Sequence, residues 1–73
     1  MMGNTDVIKV LTDLLNDERQ LIELRIAAAD GLGYGGFSGA RDALQQVVED
    51  GQADVLLRQA AIRALGQTLH TSK

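Results

Sequence analysis

Sliding the chain along itself by 33 residues brings its two halves into register without a gap. Leu24, Arg25, Ala27, Ala28, Leu32 and Gly33 fall on Leu57, Arg58, Ala60, Ala61, Leu65 and Gly66. The same offset lays Leu11 on Leu44, Leu14 on Val47, Leu15 on Val48 and Asp17 on Asp50. Chance supplies one such match; a constant offset over this many positions means that one supersecondary unit is used twice. A unit this short buries its apolar face only by packing against a neighbour, so the repeat constrains the fold more than any single residue does.

Each unit reads as two helices. Val7, Val10, Leu11, Leu14 and Leu15 recur at helical spacing and predict a first helix over about 5–16, with Asn4 or Thr5 as N-cap. Asp17 followed by Gln20 resembles a capping box, which predicts a second helix from there to about Gly33, facing inward through Leu21, Leu24, Ala28 and Leu32. The glycine-rich segment 33–39 is expected to break that helix. Ser38 would cap a third helix whose inward line is Ala40, Ala43, Leu44, Val47 and Val48, with Gly51 ending it. Asp50 or Asp54 would open a fourth, facing inward through Leu57, Ala61, Ala64, Leu65 and Leu69. No stretch alternates as a strand would. The expected class is all-α: two stacked antiparallel helical hairpins, a four-helix α-solenoid fragment. Residues 1–73 form a single domain, with one repeat over 5–36 and the other over 38–70.

The second and fourth helices carry another apolar flank, made of Ile22, Ile26 and Ala29 in one and Val55 and Ile62 in the other. A lone hairpin needs one apolar stripe, whereas a hairpin stacked between neighbours needs two. The alanines allow the helices to approach closely.

The run Leu-Arg-x-Ala-Ala-x-x-x-Leu-Gly, preceded by Leu-x-x-Leu-Leu-x-Asp, resembles the HEAT repeat, and most nearly the short bacterial repeats of the phycobilisome-lyase type. The resemblance covers about residues 7–70, and its motif speaks to fold far more than to function. It implies a protein-binding scaffold without catalysis of its own, whose second helices line the partner-facing side. It also implies a hydrogen-bonded ladder between repeats, with Asp17 and Asp50 matching the family's loop Asp and Arg25 and Arg58 its helix Arg. A half-buried Arg among Leu and Ala needs an acceptor, which agrees. The Asp-to-Arg stretch is longer here than the family's usual loop, and the usual loop proline is missing. The alternative implied by the resemblance is an accessory subunit or fragment of a bilin lyase.

Composition narrows the chemistry. With no Cys and one His, the chain has no disulfide, thiolate zinc site, thiol nucleophile or His cluster. Ten acidic residues against seven basic give a net charge of −3, with the signs interspersed, which argues against a nucleic-acid surface. No apolar stretch is long enough to span a bilayer, and the first residues do not look like a signal peptide, so a cytoplasmic protein is expected, with neither metal nor cofactor. Gly31-Leu32-Gly33-Tyr34-Gly35-Gly36 fits G-x-G-x-x-G, but that motif binds phosphate only after a strand and at a helix start; here it reads as an inter-repeat turn. Phe37 reads as packed against the hairpin core. His70, near the C-terminus, has no fixed nucleophile or orienting group and reads as solvated.

On the helical wheel Glu23, Ala27, Asp30 and Tyr34, with Leu56, Arg63 and Gln67, face away from the hairpin core. Leu56 stands where the first repeat has Glu23, an apolar group on a polar face. Tyr34 reads either as a packing residue or as a partner contact. Glu23, Asp30, Tyr34, Leu56 and Arg63 are the candidate partner-binding residues. Asp30 and Arg63 occupy equivalent positions, as do Lys9 and Asp42, so stacking is expected to bring each opposite pair together. Two repeats are fewer than a solenoid ordinarily needs. Ile22, Ile26, Val55 and Ile62 therefore point either to a homo-oligomer or to a longer HEAT protein as neighbour.

Overall fold

A computed structural model describes residues 3–35 and 38–71, and the side chains of these up to residue 69. Four helices follow one another: α1 (Asn4–Asn16), α2 (Ile22–Gly35), α3 (Ser38–Glu49) and α4 (Val55–Thr71). There is no strand among the described residues. α1 pairs with α2 and α3 with α4, and the two hairpins stack chiefly through α2 and α4, while α1 and α3 touch only lightly. The stack is therefore tight along its α2/α4 side and splayed along its α1/α3 side. This is the all-α, HEAT-like architecture that the repeat and its motif predict.

The core lies in the seam and inside each hairpin. Leu15, Leu32, Leu44 and Leu57 are fully buried among Ala28, Ala29, Ala60 and Ala61. Ile8, Leu11, Leu14, Ile22, Ile26 and Val48 pack against this cluster with part of their surface exposed. Three residues expected on inward lines are not inside: Leu21 is 67% exposed, Leu24 45% and Leu69 68%. Leu21 immediately precedes α2, where its carbonyl accepts from Leu24 and Arg25 N–H (3.0 and 3.2 Å). Leu24 shares the helical stripe of Ala28, but it stands one turn nearer the helix start, where nothing covers it fully.

Local chemistry sets the helix ends. α1 starts one residue earlier than expected, with Gly3 at the N-cap. Its N–H donates to the Asp6 carboxylate (3.1 Å), which is the return half of a capping box, since glycine has no side chain to supply the other half. Asp17 does not open α2. Its carboxylate accepts from Arg19 N–H (3.0 Å) and its carbonyl from Gln20 N–H (3.0 Å), closing a turn ahead of the helix. Asp54 is the cap of α4, accepting from Leu56 N–H on its carboxylate (2.8 Å) and from Arg58 N–H on its carbonyl (2.9 Å).

The glycine-rich segment differs most from expectation. Gly31, Gly33 and Gly35 lie inside α2, and α3 starts at Ser38. Phe37, expected to pack on the hairpin core, lies outside the described residues. Gly33 is buried because α4 crosses it. A Cβ there would stand 2.9 Å from the Ala64 Cα and Cβ and 3.0 Å from its carbonyl oxygen. Gly66, its counterpart one repeat later, is exposed, and a Cβ there meets nothing within 4 Å.

The two glycines therefore respond oppositely to alanine. Gly33→Ala is expected to lower stability by about 1–3 kcal/mol, because Ala64 backbone must move. Gly66→Ala in dilute protein should raise it by about 0.5–1 kcal/mol through helix propensity alone. Urea unfolding of both variants checks this; a neutral or stabilising Gly33→Ala contradicts the close crossing.

Candidate functional site

The repeat copies its fasteners as well as its core. The Arg25 Nε donates to the Leu15 carbonyl (2.9 Å), and Arg58, one repeat on, donates through Nη2 to the Val48 carbonyl (3.0 Å). Leu15 and Val48 are themselves counterparts, so each Arg satisfies a main-chain oxygen that the end of α1 or α3 leaves without a helical partner. Asp17 and Asp50 match in the same way: Asp50 accepts from Gln52 N–H (3.0 Å), as Asp17 does from Arg19 N–H. The hydrogen bonds that Asp17, Arg25, Asp50 and Arg58 make all stay within one repeat. The Asp17 carboxyl is held below its ordinary value, first by the Arg19 amide and then by the Arg19 side chain, with the Arg25 charge adding to the effect.

The partner-facing candidates lie on the tight side of the stack. Glu23, Ala27, Asp30, Tyr34, Leu56, Arg63 and Gln67 are all exposed. Asp30, Tyr34, Arg63 and Gln67 line one shallow cleft of about 150 Å³ floored by Ala64. Across it the Arg63 Nη2 stands 4.0 Å from the Asp30 Oδ1, an exposed pair that bridges the repeats. Such a pair is worth roughly 0–1 kcal/mol, so it orients side chains more than it holds the stack. Tyr34 is 72% exposed. Glu23 and Leu56 do not line the cleft. Each lies seven residues before Asp30 or Arg63 along its own helix, a displacement of about 10 Å at the helical rise.

The second opposite pair is not brought together. Lys9 makes its ion pair with Asp13 one turn along α1 (2.8 Å), and that hydrogen bond holds its ammonium above the ordinary value. The cause is the splay of the stack, since α1 and α3 are too loosely apposed to favour a bond between repeats over one within a helix. His70 lies in α4, and its side chain is outside those described. No cluster of His, Cys, Asp and Glu suited to a metal occurs among the described residues. No helix among them is long and apolar enough to cross a membrane.

The apolar flank expected at Ile62 forms part of an open groove of about 620 Å³ between α3 and α4 on the outer side of the second hairpin. Val48, Ile62, Leu65, Gly66 and Leu69 supply its apolar lining. The signal lay in the offset itself, because Ile62 and Gly66 are the counterparts of the buried Ala29 and Gly33.

Removing the Arg25 guanidinium by Arg25→Met should cost about 1.5–3 kcal/mol, the usual worth of a hydrogen bond from a charged donor, as read from urea unfolding. A loss below about 0.5 kcal/mol contradicts its role as fastener. For Asp17 the folded value is depressed, so its contribution is present above the ordinary value of 3.8 and is lost as pH falls through the folded value. The stability difference between wild type and Asp17→Asn, measured by thermal unfolding, should shrink below that pH and close in stronger acid. A constant difference from neutral pH to pH 2 contradicts it.

Comparison with known proteins agrees with this architecture. A family model described as HEAT repeats matches residues 8–72. It is the general repeat model, and it does not single out the phycobilisome-lyase type. Neither the curated proteins nor the solved structures gave a match. Nearly the whole chain carries the repeat, and the protein belongs to the HEAT repeat family.

Proposed function

We propose that this protein is a small interaction scaffold with no catalysis of its own, and that its partner is another protein held on the α2/α4 face. HEAT repeats generally serve as protein-interaction scaffolds. Helical solenoids use the concave surface created by the small rotation between repeats, and here the tight α2/α4 side takes that place.

The observation that carries the reading is the cleft in which Asp30, Tyr34 and Arg63 stand side by side and exposed. Tyr and Arg are the residue types that most often dominate binding energy, because each presents a large flat surface with a polar edge. Charges of both signs at one point favour a partner with matching polar groups and fix its register. Glu23 and Leu56, about two turns along, would extend the contact, with Leu56 supplying an apolar point on a polar face.

A photoreactive benzoylphenylalanine placed at Tyr34 in the native host should couple to a discrete partner protein, and the same probe at Gln46 on α3 should not. Asp30→Arg, Arg63→Glu and Leu56→Glu should each reduce the Tyr34 adduct about tenfold, equivalent to roughly 1.4 kcal/mol, while leaving the helical circular dichroism intact. Equal adduct in all three variants rules this surface out.

A further inference from the structure

Each hairpin has two unlike faces, and the structure shows how they fit. The first hairpin turns Ala29 and Gly33 of α2 toward the second, and α4 answers with Ala60 and Ala64, all of them buried. Applying the 33-residue offset gives the faces left over. The counterparts of Ala29 and Gly33 are Ile62 and Gly66, both exposed on the open groove of the second hairpin. Leu24 and Ala27, the counterparts of the buried Leu57 and Ala60, are exposed on the first hairpin, and so are Val7 and Val10, the counterparts of the buried Ala40 and Ala43. One chain thus shows both halves of the interface it already makes within itself.

We propose that a second copy of this chain fills the groove head to tail, setting its Leu24/Ala27 face against Ile62 and Gly66 as α4 sits against α2 within one chain. Three observations favour this occupant. The groove continues the existing seam by one repeat, with an open Gly66 where Gly33 is closed by Ala64. Bulk is exchanged between the two sides: Ile62 replaces the smaller Ala29, while Gly31 on the incoming copy replaces the larger Ala64. Charge alternates correctly too. Asp30 and Arg63 already face each other across the internal seam, so another step of the stack sets the Arg63 of one copy beside the Asp30 of the next. Because the two faces differ, the contact is heterologous and each addition leaves both kinds of face open, so growth has no built-in stop at two chains. Polar Arg41, Asp42 and Gln45 at the groove's rim, where the first hairpin has Ile8, Lys9 and Thr12, make the contact reversible rather than permanent.

Leu24→Glu and Ile62→Glu each place a charge on one face at a position already exposed, 45% and 55% respectively, so both variants should keep wild-type helical circular dichroism. In sedimentation velocity up to about 1 mM, the range of weak reversible contacts, the wild-type average mass should rise with concentration. Each variant alone should stay near one chain. An equimolar mixture of the two should form a two-chain complex, because each variant retains the face that the other has lost. A wild type that stays at one chain throughout overturns the proposal. So does an Ile62→Glu protein that assembles as well as wild type, which would indicate a symmetric contact through the Leu24 face alone, or a mixture that remains single chains.

Discussion

Two helices can bring their backbones together only where neither carries a bulky side chain at the crossing. Gly33 on α2 and Ala64 on α4 meet this condition, and a single added carbon at Gly33 would fall within 3 Å of the facing main chain. Close approach multiplies the small dispersion contacts of Ala28, Ala29, Ala60 and Ala61, so that few large side chains are needed at full burial: Leu15, Leu32, Leu44, Leu57 and Thr68. It also brings Asp30 and Arg63 across one seam and opens the cleft between them. Gly31 and Gly33 make α2 a poor helix in isolation, since each costs about 0.5–1 kcal/mol relative to alanine. α2 is therefore a helix because α1 and α4 pack on it, as is usual where tertiary contact outweighs propensity.

Polar groups repeat this logic at the loop ends. A solenoid unit must end one helix and begin the next within a few residues, leaving main-chain oxygens without helical partners. Arg25 and Arg58 reach back over the loop to counterpart carbonyls, and Asp17 and Asp50 close counterpart turns. These bonds give both hairpins the same loop geometry, so that their faces match. The departure from strict repetition falls at the start of the second helix of each unit, where Asp54 supplies a side-chain cap and Leu21 cannot.

Much of this was legible from periodicity and the constant offset: four helices, the alanine-rich seam, buried Leu32, Leu44 and Leu57, and the outward position of Glu23, Asp30, Tyr34, Leu56 and Arg63. The glycine segment was not. Glycine signals a turn and a close approach equally well, and the choice between them depends on Ala64 in another helix. Leu21, Leu24 and Leu69 show a second limit, since helical spacing says which residues share a stripe but not whether anything covers it. The Asp17–Gln20 spacing fits a helix cap and an isolated turn alike, and the structure takes the turn. The cleft itself followed partly from the offset, because Asp30 and Arg63 are counterparts. The separation of Glu23 and Leu56 from it follows from helix rise.

The whole stack depends on the α2–α4 crossing, and proton–proton contacts in solution report on it without altering any residue. Nuclear Overhauser effects should connect the Gly33 α-protons to the Ala64 methyl group, while the Gly66 α-protons in dilute protein should show no contact to any side chain of the first hairpin. Gly33 α-protons that see only their own helix would mean that the two hairpins do not nest, and would contradict the structure at its centre.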